Sequence, residues 1–158
     1  MSESVGGVGP RVSSTLPPVR LGYTAGVFDL FHVGHLNLFA AARRLCDFLI
    51  VGVTTDELAV ETKGERPVIP LVERMAIVQS VRHVDHAVPQ VSLDKADAWR
   101  ALRFDVLFAG DNLRGTATWQ VQEEAMERLG VQVTYLPATY VRTGALLERG
   151  LEDQLLAE

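Results

Sequence analysis

The sequence predicts an α/β fold, a doubly wound sheet of five parallel strands with helices on both faces. Three observations predict it. Short apolar runs alternate along the chain with stretches whose apolar residues recur at helical spacing. One run, Phe48-Leu49-Ile50-Val51-Gly52-Val53, is continuously apolar, as a strand covered on both faces requires. A polar turn rich in glycine and histidine also stands between the first strand and the first helix, where open parallel sheets place their ligands.

Residues 1–18 are rich in Gly, Ser, Val and Pro without periodicity and are expected to form a flexible tail. Residues 19–158 then make a single domain, since 158 residues suffice for one core and are too few for two ordinary ones. Val19 to Ala25 reads as the first strand, and Leu36 to Leu45 continues a helix begun in the turn. Phe48 to Val53 is the second strand, so the order strand, helix, strand implies a right-handed crossover. Thr54 to Pro70 is polar and is expected to be a long loop, a length more often functional than a tight turn. Leu71 to Val81 follows as a helix, with Pro70 just before or within its first turn. His86 to Pro89 is a short third strand, Asp94 to Leu102 a helix, and Phe104 to Ala109 a fourth strand ending in Gly110-Asp111-Asn112. Trp119 to Leu129 is a helix stopped by Gly130, Gln132 to Leu136 the fifth strand, and Gly144 to Leu155 a final helix.

The chemistry is concentrated in Gly26-Val27-Phe28-Asp29-Leu30-Phe31-His32-Val33-Gly34-His35. The free N–H groups and positive dipole end of the following helix favour an anion, above all a phosphate. Gly26 and Gly34 allow close backbone approach, and His32 and His35, three apart, share one helix face.

This decapeptide resembles the G-[TV]-F-D-x-x-H-x-G-H signature of the cytidylyltransferase-like nucleotidyltransferases. The family includes glycerol-3-phosphate and choline-phosphate cytidylyltransferases and heptose-phosphate adenylyltransferases. The resemblance, most like glycerol-3-phosphate cytidylyltransferase, covers about Val19 to Gly150 and implies a Rossmann-like sheet of order 3-2-1-4-5. It implies a reaction joining a nucleoside triphosphate, CTP here, to a small phosphorylated alcohol, with pyrophosphate released and Mg²⁺ as cofactor. By the same resemblance His32 and His35 bind the triphosphate and stabilise the transition state, and Asp29 orients a histidine or helps hold the metal. Gly26, Val27, Phe28 and Gly34 belong to the nucleotide site, as does Asp111 after the fourth strand. Lys63 looks like a mobile lysine that closes on the phosphates, or it is a solvated surface lysine; Arg66 is a second candidate. Arg74 is a candidate substrate contact, with a surface ion pair as its alternative. Trp119 would pack or form a wall of the acceptor pocket.

The chain departs from the family near its end, where cytidylyltransferases carry R-T-E-G-I-S-T-[TS]. Ala138 fills the arginine slot, Thr139 is retained, Thr143 matches the first hydroxyl, and Gly144 and Ala145 fill the next two. Thr139 and Thr143 are therefore expected at the nucleotide, Thr143 as a helix cap and phosphate donor. Arg142 either restores the missing charge or faces solvent.

Composition narrows the function. A net charge of −5 disfavours a general nucleic-acid binder. The single cysteine, Cys46, cannot form an intrachain disulfide and reads as packing, which suits a reducing cytoplasm. His83, Asp85 and His86 read as structure rather than as a metal site. No apolar run approaches the ~20 residues of a membrane span, no signal peptide is evident, and no G-x-G-x-x-G follows the first strand. A homodimer is expected from the resemblance, and the charge and hydropathy give no sign of nucleic-acid or membrane partners. The run Arg66-Pro67-Val68-Ile69-Pro70-Leu71 followed by Glu73-Arg74-Met75 keeps open an adenylyltransferase acting on a sugar phosphate. The altered C-terminal motif keeps open a nucleotide-binding protein without turnover.

Overall fold

A computed structural model describes residues 18–137. The elements in chain order are β1 (Leu21–Gly26), α1 (Val33–Arg43), β2 (Phe48–Thr54), α2 (Asp56–Lys63), α3 (Leu71–Gln79), β3 (His86–Gln90), α4 (Lys95–Leu102), β4 (Val106–Gly110), a 3₁₀ turn (Asp111–Leu113), α5 (Ala117–Arg128) and β5 (Gln132–Leu136). All five strands are parallel and lie in the order β3-β2-β1-β4-β5. The expected topology is the one the chain adopts. The tail and the helix expected over 144–155 lie outside the described residues.

The period of two along each strand divides the interior into two cores. Leu49, Val51 and Val53 of β2 and Val106 and Phe108 of β4 pack with Phe39 of α1 and Val78 of α3. Tyr23, Ile50 and Leu107 point the other way and pack with Phe104, Met126 and the half-buried Trp99 and Trp119 of α4 and α5. Both faces of the sheet are therefore covered, which is why its strands read as apolar runs without alternation. On the Tyr23 face, Gly52 makes room for the Tyr23 side chain, since a Cβ there would lie 2.0 Å from its hydroxyl. Helix ends follow their sequence signals: Asp94 caps α4 through Ala96 N–H, and Gly64 and Gly130 follow α2 and α5 in the left-handed conformation.

One expectation is corrected. Thr54 to Pro70 is not a loop throughout, because Asp56–Lys63 forms α2. Thr55 Oγ1 accepts from Leu58 N–H, Asp56 and Glu57 complement the dipole in the first turn, and Gly64 stops the helix. Those local signals outweigh the polarity that suggested a loop. Leu58 and Ala59 bury one side of α2, Asp56 is half-buried at its start, and the rest is exposed.

Candidate active site

The turn after β1 is held in an unusual backbone form. Phe28 (φ 51°) and Leu30 (φ 50°) both occupy the left-handed region, which costs a non-glycine residue roughly 1–2 kcal/mol. Packing and hydrogen bonds compensate. The Phe28 ring is buried edge-on against Phe39, centroids 5.0 Å apart, and also meets His35 at 5.3 Å. Asp29 accepts from its neighbour Leu30 N–H (3.1 Å) and from Val68 N–H (2.7 Å) and Ile69 N–H (3.0 Å) across the site. Its carboxylate thus ties the turn to the segment before α3. It makes none of its described hydrogen bonds to a histidine.

The two histidines begin α1 and cap it for each other. His32 is the N-cap, and its Nδ1 accepts from Gly34 N–H at 3.1 Å. His35, three residues on, accepts from His32 N–H through Nδ1 at 3.4 Å. This is a capping box built from imidazoles, with the rings stacked 3.8 Å apart at 20°. Both Nδ1 atoms act as acceptors, so each neutral ring carries its proton on Nε2. Burial, reinforced by the charge of His32, pushes His35 down to about 4, and burial also lowers His32. At neutral pH the pair is a set of two uncharged N–H donors at a helix N-terminus.

Linkage gives this a measurable sign. A histidine held neutral in the fold adds stability that is complete above pH 6.5 and is lost as pH falls toward 4. Wild type is expected to lose urea stability across pH 6.5 to 4 more steeply than His35→Gln. Parallel profiles for the two proteins would contradict the assignment.

The histidines stand on a ridge between two cavities. One, of about 370 Å³, is lined by Gly26, Val27, Phe28 and Asp29 of the turn and by Lys63, Glu65 and Arg66 at the end of α2. The other, of about 320 Å³, lies between β1 and β4 and is lined by Thr24, Gly34, Leu38, Gly110, Asn112 and Trp119. His32 and His35 line both. The second cavity sits at the point where strand order reverses, the place an open α/β sheet reserves for ligands. A larger cavity, about 650 Å³, lies between α5 and β5 beside Arg114 and Tyr135 and contains neither histidine.

Most residues singled out from the sequence converge here: Gly26, Val27, Phe28, Asp29, His32, Gly34, His35, Lys63 and Trp119 all line one cavity or the other. Asp111 is exposed at the start of the 3₁₀ turn, and the neighbouring Asn112 lines the second cavity instead. The sequence places Asn112 beside Asp111 at the end of the fourth strand without giving it a site role, and Leu38 has none either, although it lies one helical turn beyond Gly34 on the same face. Thr139, Arg142 and Thr143 lie outside the described residues.

Arg74 departs from both of its sequence readings. It is wholly buried, lines neither cavity, and is no surface ion pair. Its guanidinium donates to the carbonyls of Ile69, Val27 and Thr54, each at 2.7 Å, and to Asp56 Oδ1 at 2.6 Å. Burial alone would raise Asp56, but the hydrogen bond from Arg74, with help from Leu71 N–H and Arg66, holds it below the usual carboxylate range. Arg74 therefore joins the turn, the end of β2, the start of α2 and the start of α3 beneath the first cavity.

A family model described as cytidylyltransferase-like matches residues 23–144. The chain is 43% identical over 97 residues, 61% of its length, to bifunctional protein HldE of Gluconacetobacter diazotrophicus, of which this covers 20%. It is 45% identical over 78 residues, 49% of its length, to ethanolamine-phosphate cytidylyltransferase of Arabidopsis thaliana, of which this covers 18%. The chain thus matches about a fifth of each curated relative. Among solved structures, a lipopolysaccharide core biosynthesis protein from Thermoplasma volcanium superposes with TM-score 0.65 at 22% identity, covering 77% of this chain and 98% of that one. Pantothenate synthetase from Thermus thermophilus superposes with TM-score 0.57 at 18% identity, covering 78% and 57%. At those identities the two structures speak to the fold alone.

Proposed function

Because this chain belongs to the cytidylyltransferase-like family of nucleotidyltransferases, we propose that it joins a nucleoside triphosphate to a small phosphorylated alcohol and releases pyrophosphate. CTP is the triphosphate this reading favours, and glycerol 3-phosphate is the type of acceptor. The observation that carries it is the neutral His32–His35 pair on the ridge between two cavities. One cavity takes the nucleoside and the other takes the acceptor, so the α-phosphate lies over the imidazoles.

The attacking phosphate oxygen is already ionised at neutral pH, so the reaction needs no strong general base. A bond forms from that oxygen to the α-phosphorus, and the bond to the β-phosphate oxygen breaks, its electron pair leaving with pyrophosphate. Catalysis then consists of in-line placement and neutralisation of charge. The Nε2–H groups of His32 and His35 and the free N–H groups of α1 supply fixed donors to the α-phosphate. Lys63 and Arg66 stand at the rim of the first cavity, beside the acceptor phosphate or the departing pyrophosphate. Trp119, expected from the sequence to pack or to wall the acceptor pocket, lines the cavity between β1 and β4 with Asn112 and Gly110, and this reading gives that cavity to the nucleoside. Arg74 supports this site without touching substrate. Asp111, Thr139, Arg142 and Thr143 remain proposed nucleotide contacts.

Magnesium fits the reading as part of the substrate, chelated by the triphosphate. Asp29 accepts from three N–H groups, and the described residues hold no group of three metal-ligating side chains. No step is assigned to a resident metal. A homodimer belongs to the same reading, and the exposed Val33 and Leu36 on α1 are apolar residues that such a contact would cover. No helix among the described residues is long and apolar enough to cross a membrane.

A second reading, an adenylyltransferase acting on a sugar phosphate, draws on the 43% identity to bifunctional protein HldE and on the Arg66–Leu71 run. Pyrophosphate release with Mg²⁺, using CTP and ATP separately against phosphorylated alcohols and sugars, decides between them. Turnover with CTP and glycerol 3-phosphate is the expected result. Turnover with ATP alone selects the second reading, and nucleotide binding without release points to a binding protein. Absence of any nucleotide binding would overturn all three.

A further inference from the structure

Charge is unevenly shared between the two cavities that meet at the histidines. The four charged side chains that line either of them, Asp29, Lys63, Glu65 and Arg66, all belong to the first. The cavity between β1 and β4 has none, and Leu38, Phe108 and Trp119 give it apolar walls. A flat, uncharged base suits the apolar cavity, and a small polar phosphate ester suits the charged one.

Of the acids in or under the first cavity, Asp29 and Asp56 are committed. Asp29 accepts from the N–H groups of Leu30, Val68 and Ile69. Asp56, under the cavity beside Arg74, accepts from that guanidinium at 2.6 Å and draws Arg66 to 3.6 Å. Glu65 is different. It lies between Lys63 and Arg66 in the chain, yet its carboxylate enters no hydrogen bond or ion pair among the described residues. Its backbone is held on both sides all the same. Gly64, at φ 78°, ends α2 with its N–H on Val60 O at 2.8 Å, and three residues after Glu65 the Val68 N–H is fixed by Asp29. The carboxylate is therefore an exposed, uncommitted acceptor on a tethered stretch of the cavity wall.

Such a group repels a phosphate, which settles instead toward Lys63, Arg66 and the imidazole N–H groups. The carboxylate then meets the other end of the ligand, and an ionised carboxyl only accepts hydrogen bonds. A hydroxyl at that end satisfies it, whereas a bare alkyl end strands it against carbon.

Resting on the nucleotidyltransferase reading, we propose that Glu65 is a specificity-determining residue that accepts a hydrogen bond from a free hydroxyl of the acceptor. The acceptor class is then a polyol or sugar monophosphate, with a hydroxyl beyond the carbon that carries the phosphate. Simple alkyl phosphates are selected against. A site that bonds a substrate hydroxyl rejects the analogue lacking it more strongly than an apolar pocket rejects one methylene.

The test crosses acceptors with variants and reads pyrophosphate release with Mg²⁺ and whichever of CTP and ATP wild type turns over. Glycerol 3-phosphate and n-propyl phosphate differ only in two hydroxyls, and ethanolamine phosphate supplies a cationic end. Where only a sugar phosphate reacts, its deoxy analogues replace n-propyl phosphate. Wild type should favour glycerol 3-phosphate over n-propyl phosphate about thirtyfold in kcat/KM, the size of one hydrogen bond to a charged group. Glu65→Ala should cut that preference below about threefold at an unchanged urea midpoint. Glu65→Gln, which keeps a carbonyl acceptor, should retain about tenfold. No preference in wild type, or one that Glu65→Ala leaves intact, would overturn the proposal alone. A preference for ethanolamine phosphate that both variants abolish would also overturn it, by making the partner of Glu65 an ammonium. Wild type that turns over no phosphorylated acceptor with either nucleotide would overturn the reading beneath it.

Discussion

His35→Ala is expected to lower kcat/KM by roughly 10²–10³-fold, the loss that follows removal of one preorganised donor to a developing oxyanion. Its ring is buried against Phe28, stacked on His32 and fixed by the hydrogen bond from His32 N–H. Nε2–H is thereby held at the ridge with little freedom, so it does not reorganise as charge shifts from the triphosphate to pyrophosphate. The substitution also removes half of the capping box, which weakens the start of α1 by about 1 kcal/mol. Far-ultraviolet circular dichroism and the urea midpoint separate that loss from the kinetic one. His35→Asn, which keeps an amide donor on a shorter side chain, should recover part of the rate. Wild-type turnover in a folded His35→Ala protein would remove the histidines from the mechanism.

Arg74→Met is expected to destabilise the fold by roughly 3–5 kcal/mol, the range for breaking a buried ion pair by removing one partner. Methionine fills much of the volume, so the loss is electrostatic rather than a cavity. Three carbonyls at 2.7 Å and the Asp56 carboxylate would each lose a charged donor at once. Arg66 is too exposed to replace it, although it already approaches Asp56 at 3.6 Å. Urea denaturation measures the effect, and Arg74→Met with Asp56→Asn should recover part of it by removing the stranded charge. A loss under about 1 kcal/mol would mean that water satisfies these groups, contrary to the burial of Arg74.

Much of this was legible in the sequence because its signals are local. The apolar runs gave five strands, and β1 through β5 all fall within two residues of where those runs lie, the largest offsets being the starts of β1 and β4. The histidine spacing put His32 and His35 on one ridge because three residues are nearly one helical turn. The illegible parts depend on what the chain meets after folding. Asp29 reads as a ligand for a histidine or a metal, yet it is taken up by amides some forty residues away. Arg74 sits in a polar Glu-Arg-Met triplet that looks exposed, and only tertiary packing buries it. The helix over Asp56–Lys63 was legible in principle, since Thr55, Asp56, Glu57 and Gly64 are ordinary start and stop signals, but a polar composition concealed them.

The two tethers beneath the first cavity have a consequence for how its cations are delivered. Arg74 fixes Asp56, and Asp29 fixes Val68, so the stretch between them, with Lys63 and Arg66, is anchored at both ends. A lysine on a free loop would search a large volume and surrender that freedom on meeting a phosphate. Here the backbone that carries Lys63 is held before any ligand arrives, so on the proposed reading its ammonium would give up less freedom on meeting a phosphate. Loosening either anchor would free Lys63 while leaving its charge and its chemistry untouched.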